Sequence, residues 1–429
     1  MALRIAIIGA GPAGCALARL LQQSSQDISV NIFESEASIN FRSQGGTLDL
    51  HTKTGQACLK AAGLFAEFEK HARYDGEAMN VCDKHLLSYI SRGGGKPGAT
   101  TGRPEIDRPI LRKLLYDSLA PGTVQWSHKL THITPPASAS NDKPTLNFSD
   151  ATDATDFDLI VGADGAWSRV RPFLSEAKPF YSGIAGHAFH ITDAEARHPE
   201  LYKLVNRGSL FSFSDEKSIM GQYMGDGSLN VATWAVRPET WQKESGYDVR
   251  DPVAVKAMVR QEYEDWDPRL VGLTQAADEG EGGVVARDLF MLPIGHRWEH
   301  RRGVTLVGDA AHVTTPFAGE GVNIAMEDAM KLAEAIVSAA SSSNSETERR
   351  TKLDEKVEEF EQDMFKRATE VQQLTYDMME SMFLTPGAPR NGIETYIIRA
   401  VEGEIGWWLT KLVLTPIVYT YFLVFKLIW

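Results

Sequence analysis

The segment at the amino terminus constrains the fold more strongly than any other part of the chain. An apolar run typical of a buried strand, LRIAII, is followed at once by the turn GAGPAG and then by CALARLL, which has helical spacing. This order of strand, glycine turn and helix is typical of a dinucleotide-binding unit. Gly9 permits the tight turn, Gly11 lets the backbone approach a pyrophosphate, and Gly14 allows close packing of helix on strand. Pro12 and Ala13 lie inside the same turn.

An acidic residue stands where such a unit requires one. The second apolar run, ISVNIF, is followed by Glu34, about 20 residues after the last glycine. A carboxylate at this point can accept hydrogen bonds from both hydroxyls of a ribose. The glycine turn alone could be structural, but the strand, the helix and the acid together favour dinucleotide binding.

Two later strands end in the same way. The runs DLIVGADG (158–165) and VTLVGDAAH (304–312) place Asp164 and Asp309 directly after buried strands. Because the carboxyl ends of parallel strands meet at one edge of an open sheet, these turns are expected to gather at a ligand site. Asp164 has a structural alternative, the N-cap of a following helix. After Asp309 a broken loop leads into a helix, whose positive end favours an anion.

Composition excludes several other classes of protein. The 429 residues carry a net charge of −13 with a pI of about 5.4, which argues against nonspecific nucleic-acid binding. Cys15, Cys58 and Cys82 form no CxxC pair, so the sequence supports neither a disulfide framework nor a metal site. A reducing compartment, the cytoplasm, is the plainer interpretation.

The chain resembles the class A flavoprotein monooxygenases, and its pattern is most similar to that of the tetracycline-inactivating members. The resemblance is carried by GAGPAG with Glu34, RSQGGTLDLHTKTGQACLKAAGL (42–64), RPEIDRPILRKLL (103–115), VGADG, and GDAAHVTTPFAGEGVN (308–323). It implies an α/β fold, with a Rossmann-like FAD-binding domain, an inserted substrate domain on an antiparallel sheet, and a bridging C-terminal helix.

The resemblance also implies roles for individual residues. The glycine turn and Glu34 would hold the adenosine half of FAD, and Asp309 would bind a ribityl hydroxyl. Asp164 would lie near the pyrophosphate and the docking path of NADPH. The remaining implied cofactor residues are Arg42, Asp49 and Arg108 along FAD, and Gly319, Gly321, Val322 and Asn323 at the pyrimidine edge of the flavin. Arg42 and Arg108 have the alternative of ordinary surface salt bridges.

No side chain is predicted to act as a catalyst. In the mechanism that the resemblance implies, NADPH reduces the flavin, and dioxygen forms a C4a-hydroperoxide that hydroxylates or epoxidises a small aromatic or polycyclic natural-product-like substrate. His51 and His312 could be acid–base groups, but structural roles are favoured because the sequence shows no partner for either. The alternatives are a flavin-dependent reductase or dehydrogenase, and a non-catalytic flavin-binding protein.

Residues 176–284 have the alternation typical of antiparallel strands and are predicted to form the substrate-binding sheet, with its inner face covering the flavin. The alternation puts Asn230, Ala232 and Trp234 on one face, although an aromatic stripe is more often core than ligand surface. The residues predicted to face a flat, partly polar ligand are His187, Phe213, Tyr223 and Asn230.

The remaining boundaries follow from composition. The FAD-binding domain is predicted to comprise 1–175 and 285–340, followed by a bridging helix over 346–385 and an apolar tail over 386–429. The uncharged stretch between Lys411 and Lys426 has 14 residues, fewer than the ~20 that span a bilayer. The tail is therefore expected to pack on the protein or to lie at a membrane interface, which would make the enzyme peripherally membrane-associated.

Overall fold

The computed structural model describes residues 2–40, 45–94, 102–136, 143–280, 282–342, 345–405 and 407–429. The strands in this part of the chain are β1 Leu3–Ile8, β2 Ile28–Phe33, β3 Thr47–Asp49, β4 Met79–Cys82, β5 Ser88–Arg92, β6 Glu105–Asp107, β7 Val124–Gln125, β8 Leu130–Thr134, β9 Thr145–Phe148, β10 Asp153–Ala154, β11 Leu159–Gly162, β12 Phe180–Ile191, β13 Ser209–Ser214, β14 Lys217–Tyr223, β15 Leu229–Val236, β16 Val284–Met291 and β17 Val304–Leu306.

The α-helices of the same ranges are α1 Pro12–Gln23, α2 Gly55–Ala61, α3 Phe65–Glu69, α4 Arg108–Asp117, α5 Ala194–Arg197, α6 Pro199–Val205, α7 Trp241–Glu244, α8 Pro252–Glu262, α9 Pro268–Gln275, α10 Asp309–His312, α11 Gly321–Ser341, α12 Glu346–Met379, α13 Ile393–Ile405, α14 Trp407–Leu409 and α15 Thr415–Ile428. Short 3-10 turns cover Asp75–Glu77, Arg171–Phe173 and Pro316–Ala318, and π-helical turns cover Glu380–Leu384 and Thr410–Leu414.

The fold is α/β, as the sequence predicts. A five-stranded sheet has the order β17-β11-β1-β2-β7, and its strands run parallel. Ile8 lies opposite Gly162, which in turn lies opposite Leu306, so β1, β11 and β17 end at the same edge. The glycine turn and the two Asp-containing loops therefore meet there, as expected for a doubly wound sheet.

The chain divides into two compact units. The first consists of Met1–Ala72, Arg108–Phe180 and Phe290–Gln372. The second consists of Arg73–Asp107, Tyr181–Leu289 and Gln373–Trp429. Residues 73–107 thus group with the antiparallel sheet, whereas the sequence boundaries assigned them to the FAD-binding domain. The reason is a long-range pairing, because β4 runs parallel to β13 with Met79 opposite Ser209.

The second unit is built on a seven-stranded sheet with the order β16-β12-β15-β14-β13-β4-β5. One face of this sheet packs on α6, α8 and α9 and forms the core, in which Phe189, Val231 and Tyr263 are almost fully buried. Along β15 the buried residues alternate with partly exposed ones, so Asn230, Ala232 and Trp234 share the other face. That alternation was predicted from the sequence.

Within the first unit, the long helix α12 is anchored by a buried carboxylate. Glu361 accepts hydrogen bonds from Thr305 Oγ1 at 2.7 Å, from His300 Nδ1 at 2.8 Å and from Trp298 Nε1 at 3.1 Å. The side chain of Glu361 has no exposed surface. The hydrogen bond and the charge of Glu361, aided by Asp354, raise the pKa of His300 to about 9 despite its partial burial.

This contact makes a prediction about stability. Because the folded-state pKa of His300 lies above its ordinary value of 6.5, its stabilising contribution is complete below that value and is lost as the pH rises through about 9. We expect His300→Asn to lower the free energy of unfolding near neutral pH and to flatten its decline at alkaline pH. Urea unfolding across this range measures both effects, with the exposed His85→Asn as control. Equal alkaline losses in wild type and His300→Asn would contradict the assignment.

Candidate functional site

The glycine turn after β1 contains two glycines that the protein's own packing requires. Gly9 has φ +107°, and a Cβ there would lie 2.4 Å from the carbonyl oxygen of Ala163. A Cβ on Gly14 would lie 2.1 Å from the carbonyl oxygen of Gly9. Gly11 is different, because a Cβ there would meet no protein atom within 4 Å. No side chain caps α1, whose first residue is Pro12, so its N-terminus remains suited to an anion.

Glu34 lies against this turn. Its Oε2 accepts a hydrogen bond from the Ala10 N–H at 2.7 Å, and its Oε1 accepts one from the Glu36 N–H at 2.9 Å. The nearly buried Arg112 donates from Nε to the Ala10 carbonyl at 3.1 Å and pairs through Nη1 with Glu36 at 2.8 Å. Sequence analysis missed Arg112, since a charged residue on a helix is most often exposed.

Asp164 follows β11 and serves first as a cap for its own loop. Its Oδ2 accepts a hydrogen bond from the Arg169 N–H at 2.6 Å. Asp164 is not the N-cap of a helix, because Val170 holds that position before the next helical turn. Its Oδ1 is buried and has no hydrogen-bond partner among the described residues. Burial raises the pKa of Asp164 against several opposing hydrogen bonds. An unsatisfied buried carboxylate oxygen at the edge of the sheet fits a ligand with a hydroxyl or water-bridged phosphate.

Arg171 is a second residue that sequence analysis missed. It is 2% exposed and donates from Nε to the Ala310 carbonyl at 2.9 Å and from Nη2 to the Ala166 carbonyl at 2.5 Å. Burial lowers the pKa of its guanidinium, and the charges of Asp164 and Asp309 oppose this effect. Arg171 therefore joins the loops after β11 and β17 and supplies positive charge to both acids.

Asp309 begins α10 directly after β17. Burial among protein atoms raises the pKa of its carboxyl, while His312, Arg108 and Arg171 act in the opposite direction. By its accessible surface, however, Asp309 is exposed. These two facts are compatible if Asp309 lines a concave surface, where protein surrounds a carboxylate without covering it.

A buried ionic network holds the Asp309 loop in place. Asp328 accepts hydrogen bonds from the Gly308 N–H at 3.0 Å, from His312 Nε2 at 2.6 Å and from Arg367 Nη1 at 2.9 Å. Burial alone would raise the pKa of Asp328, but His312 and Arg367 outweigh it and the pKa is lowered. His312 thus has the structural contacts that the sequence interpretation favoured.

Gly308 explains how closely the helices approach this loop. It has φ +60°, and a Cβ there would lie 3.1 Å from the Cβ of Ala325 and 3.7 Å from that of Ala13. Ala13 is in the first turn of α1, and Ala325 is in the second turn of α11. The N-terminal turns of both helices therefore converge beside Asp309.

A second polar cluster precedes α11. His51 Nε2 lies 3.0 Å from Asp49 Oδ2, and His51 Nδ1 lies 3.4 Å from Glu320 Oε2. Asn323 accepts from the His51 N–H at 2.8 Å and donates to the Asp49 carbonyl at 2.9 Å. His51 therefore has partners that the sequence could not show. Gly319, with φ +69°, lies so close to Asp49 that a Cβ would be 3.1 Å from its Oδ1.

The other predicted cofactor residues lie near the start of α11, at the start of α4 or outside the described residues. No side chain caps α11, and a Cβ on Gly321 would meet no protein atom within 4 Å. Val322 is partly exposed. Arg108 is exposed at the start of α4, and its N–H donates to the Gly46 carbonyl at 3.1 Å. Arg42 lies outside the described residues.

The four residues predicted to contact substrate do not share one face of the sheet. His187 is fully buried and stacks edge-on with Trp241 at 5.2 Å, and burial, aided by Arg237, lowers its pKa to about 4. Tyr223 packs toward the helical face and lies 5.5 Å from the Tyr202 ring. The sequence grouping is corrected for both, because the cross-strand register turns them toward the helices.

Phe213 and Asn230 belong to the other face. Phe213 is 3% exposed and packs edge-on against Phe383 at 5.4 Å, so its contacts are those of a core residue. Asn230 is partly exposed, and it lies opposite His190 on β12 and Gln222 on β14. Asn230 is thus the one of the four that lies on this face and retains exposed surface.

The hydrogen-bond donors and acceptors of the first unit fit a dinucleotide. It combines two helix N-termini without side-chain caps, the carboxylates of Glu34 and Asp309, and the buried unsatisfied oxygen of Asp164. Among the described residues, no group of three or more His, Cys, Asp or Glu side chains could hold a metal ion.

Comparisons with known proteins agree with this fit. Residues 2–348 match the family model described as FAD binding domain. The chain is 30% identical over 427 residues to monooxygenase asqM of Emericella nidulans, covering 87% of this chain and 94% of asqM. The chain therefore belongs to the FAD-binding family of class A flavin monooxygenases, and it is a flavin-dependent oxidoreductase.

Solved structures share the fold at lower identity. Klebsiella pneumoniae HpxO complexed with FAD and uric acid gives a TM-score of 0.72 at 19% identity, covering 96% of this chain and 97% of HpxO. The tetracycline destructase Tet(51) gives a TM-score of 0.63 at 17% identity, covering 94% of this chain and 98% of Tet(51). The predicted resemblance to the tetracycline-inactivating members is confirmed in the fold.

Two glycines of the turn make a matched pair for testing the site. We expect Gly14→Ala to destabilise the protein, because its Cβ would collide with the Gly9 carbonyl at 2.1 Å. Gly11→Ala should leave the melting temperature of the flavin-free protein nearly unchanged, since its Cβ meets no protein atom. It should nevertheless weaken FAD binding, because the methyl group would stand where the pyrophosphate approaches. Thermal unfolding and FAD titration separate the two effects; unchanged FAD affinity in Gly11→Ala would contradict the role of this turn.

Asp309 is tested by its charge. Asp309→Ala should weaken FAD binding by about 1.5–3 kcal/mol, roughly ten- to a hundredfold, because a hydrogen bond to a charged group is lost. Asp309→Asn keeps a hydrogen-bond acceptor, so its FAD affinity should lie between those of wild type and Asp309→Ala. Flavin absorbance of the purified proteins and fluorescence titration of FAD measure the effect. Full FAD content in Asp309→Ala would remove this carboxylate from the site.

Proposed function

We propose that this protein is an FAD-dependent monooxygenase that uses NADPH and O2 to hydroxylate or epoxidise a small aromatic or polycyclic, natural-product-like molecule. The observation that carries the proposal is the convergence of the N-terminal turns of α1 and α11 beside Asp309 at the carboxyl edge of the parallel sheet. We also infer a role in secondary metabolism, because the proposed substrate is natural-product-like.

The residues of the first unit would hold FAD along its length. Glu34 would accept hydrogen bonds from the adenosine ribose, and the turn from Gly9 to Gly14 with the N-terminus of α1 would bind the pyrophosphate. Asp309 would bind a ribityl hydroxyl, and Asp164 and Asp49 would lie along the same path. Arg42 and Arg108 are proposed to neutralise charge there.

The N-terminus of α11 has a separate electrostatic role. The backbone of Gly319, Gly321, Val322 and Asn323 would face the flavin ring, and a helix N-terminus stabilises negative charge by up to about 2 kcal/mol when partly buried. The Asp49, His51 and Glu320 cluster holds this backbone in position. FAD, if bound there, would supply the redox chemistry with NADPH and dioxygen. The residues of this chain would bind and orient the cofactor and the substrate and would exclude water.

The face of the antiparallel sheet that carries Asn230 is the proposed substrate surface. A polar row crosses four strands on this face, formed by His190, Asn230, Gln222 and Ser209. The neighbouring row, Ala188, Ala232, Met220 and Phe211, is apolar and partly exposed. A flat apolar molecule with a few polar groups suits such a surface, because the polar row orients what the apolar row binds.

If this face binds the substrate, the four residues predicted to contact it have different roles. His187 and Tyr223 lie toward the helices, so we propose that they support the sheet rather than contact substrate. Phe213 packs on Phe383, and its loss is expected to affect stability first. Asn230 remains the proposed substrate contact, together with its cross-strand neighbours.

Two rival functions are separated by activity. A flavin-dependent reductase or dehydrogenase would oxidise NADPH without incorporating oxygen, and a non-catalytic flavin-binding protein would show no turnover. The test is NADPH oxidation with a panel of aromatic and polycyclic substrates under 18O2, followed by mass spectrometry of the products. Labelled product supports the proposal. Substrate-dependent NADPH oxidation that yields a reduced, unlabelled product and no hydrogen peroxide would establish the first rival. NADH in parallel reactions decides the choice of nicotinamide cofactor.

Asn230→Ala tests the substrate face. It should raise the Michaelis constant or divert NADPH oxidation into hydrogen peroxide, because a misplacement of about 1 Å can cost on the order of a hundredfold in rate. FAD content should not change. The matched control is Asn80→Ala. Asn80 lies beside Leu210 on the opposite face of the same sheet. Normal coupling and affinity in Asn230→Ala would move the substrate surface elsewhere.

The proposal includes a cytoplasmic location with peripheral membrane contact through residues 386–429. The apolar composition of this tail supports the contact.

A further inference from the structure

The last helical segment has an unusual composition for the surface of a protein. The π-helical turn Thr410–Leu414 continues directly into α15, and the combined segment Thr410–Ile428 is long and apolar enough to cross a membrane. From residue 407 to 429 the charged residues are Lys411 and Lys426, and there is no acidic residue. Only 11% of its most apolar window is buried.

The exposed apolar side chains surround most of the helix. Large examples with about half or more of their surface exposed are Trp408, Leu412, Ile417, Tyr421, Leu423 and Leu427. Because these positions fall at spacings of two, four and five residues, they cover several sides of the helix rather than one stripe. A groove on a partner protein covers one face of a helix. The lipid interior of a membrane instead contacts all the exposed sides of a helix at once.

One narrow stripe of the same helix is held against the rest of the second unit, to which the helix belongs. Thr410, Val418 and Phe422 are buried at intervals of eight and four residues, which places them in one row. Near the carboxyl end, the Phe425 ring lies 5.3 Å from that of Tyr89, and Lys426 Nζ lies 2.6 Å from Glu394 Oε1. The segment is therefore attached along its length and not at one end only.

We propose that this segment is an in-plane membrane anchor whose exposed sides enter one leaflet of a lipid bilayer. A spanning orientation would carry the attached α13, with the ion-paired Arg399 and Glu402, to the depth of the hydrocarbon core. Charged groups at that depth are costly, whereas a helix parallel to the surface leaves them in water. The exposed Lys411 and the absence of acids suit anionic headgroups, and exposed Tyr and Trp side chains suit the interface.

The first experiment measures binding to vesicles with the full-length protein. We expect wild type to co-sediment with vesicles of phosphatidylcholine and phosphatidylserine. The variant Ile417→Gln/Leu423→Gln/Leu427→Gln should bind at least about tenfold more weakly, because each withdrawn side chain removes apolar area from the lipid. Since these side chains are exposed, the melting temperature should not fall. The control is Val236→Gln/Val253→Gln, which removes exposed apolar side chains elsewhere and should bind like wild type.

The second experiment measures depth. The native cysteines Cys15, Cys58 and Cys82 are buried, so a nitroxide label can be directed to Tyr419→Cys or Leu427→Cys on the exposed surface. Similar shallow depths for both labels support the in-plane anchor. A label at 419 near the bilayer centre with one at 427 near the interface would show a span and overturn the proposal.

Other outcomes also decide the question. Wild type that stays in the supernatant as a dimer, with the triple variant monomeric, would show that a second copy covers the helix. Binding without loss in the triple variant would place the lipid contact elsewhere. None of these measurements depends on enzymatic turnover, so a failure of the anchor is distinguishable from a failure of the proposed monooxygenase activity.

Discussion

The hydrogen bonds and ion pair of the buried Asp328 carboxylate are the interactions on which the rest of the first unit depends. It accepts hydrogen bonds from Gly308, His312 and Arg367, which belong to the loop after β17, to α10 and to α12. A buried charge is tolerated only when it is paired, and here a cation and an imidazole both pair with it. Because Gly308 is fixed in this way, Asp309, the first turn of α1 and the second turn of α11 meet at one place.

In the same unit, buried arginines lie near acids of the proposed cofactor site. Glu34, Asp164 and Asp309, which are proposed to line the cofactor site, each have a buried arginine nearby. Arg112 serves the first of these acids, and Arg171 lies between the other two. Both arginines also donate to backbone carbonyls, so the position of their charge is fixed by the loops that they join.

Sequence patterns predicted the parallel strands and the glycine turns because these depend on neighbours along the chain. They were less successful where contacts are distant. The segment 73–107 joins the second unit through the pairing of β4 with β13, and no local signal marks a parallel partner more than a hundred residues away. His187 and Tyr223 were grouped with Asn230 as aromatic or polar side chains suited to a flat ligand, but the face of the sheet that each occupies depends on cross-strand register. Arg112 and Arg171 were missed for a related reason, since only packing buries an arginine.

By itself, the sequence determined that this chain has a Rossmann-like unit with its acids at the strand ends, because a tight turn, a buried strand and a helix start each require particular residue types. It also determined that the tail is apolar. Only the tertiary structure decided which acids are paired, which face of the antiparallel sheet retains polar side chains, and which sides of the last helix stay exposed. Those outcomes depend on the residues that the fold brings together from distant parts of the chain, and burial and pairing there set the free energy of each charge.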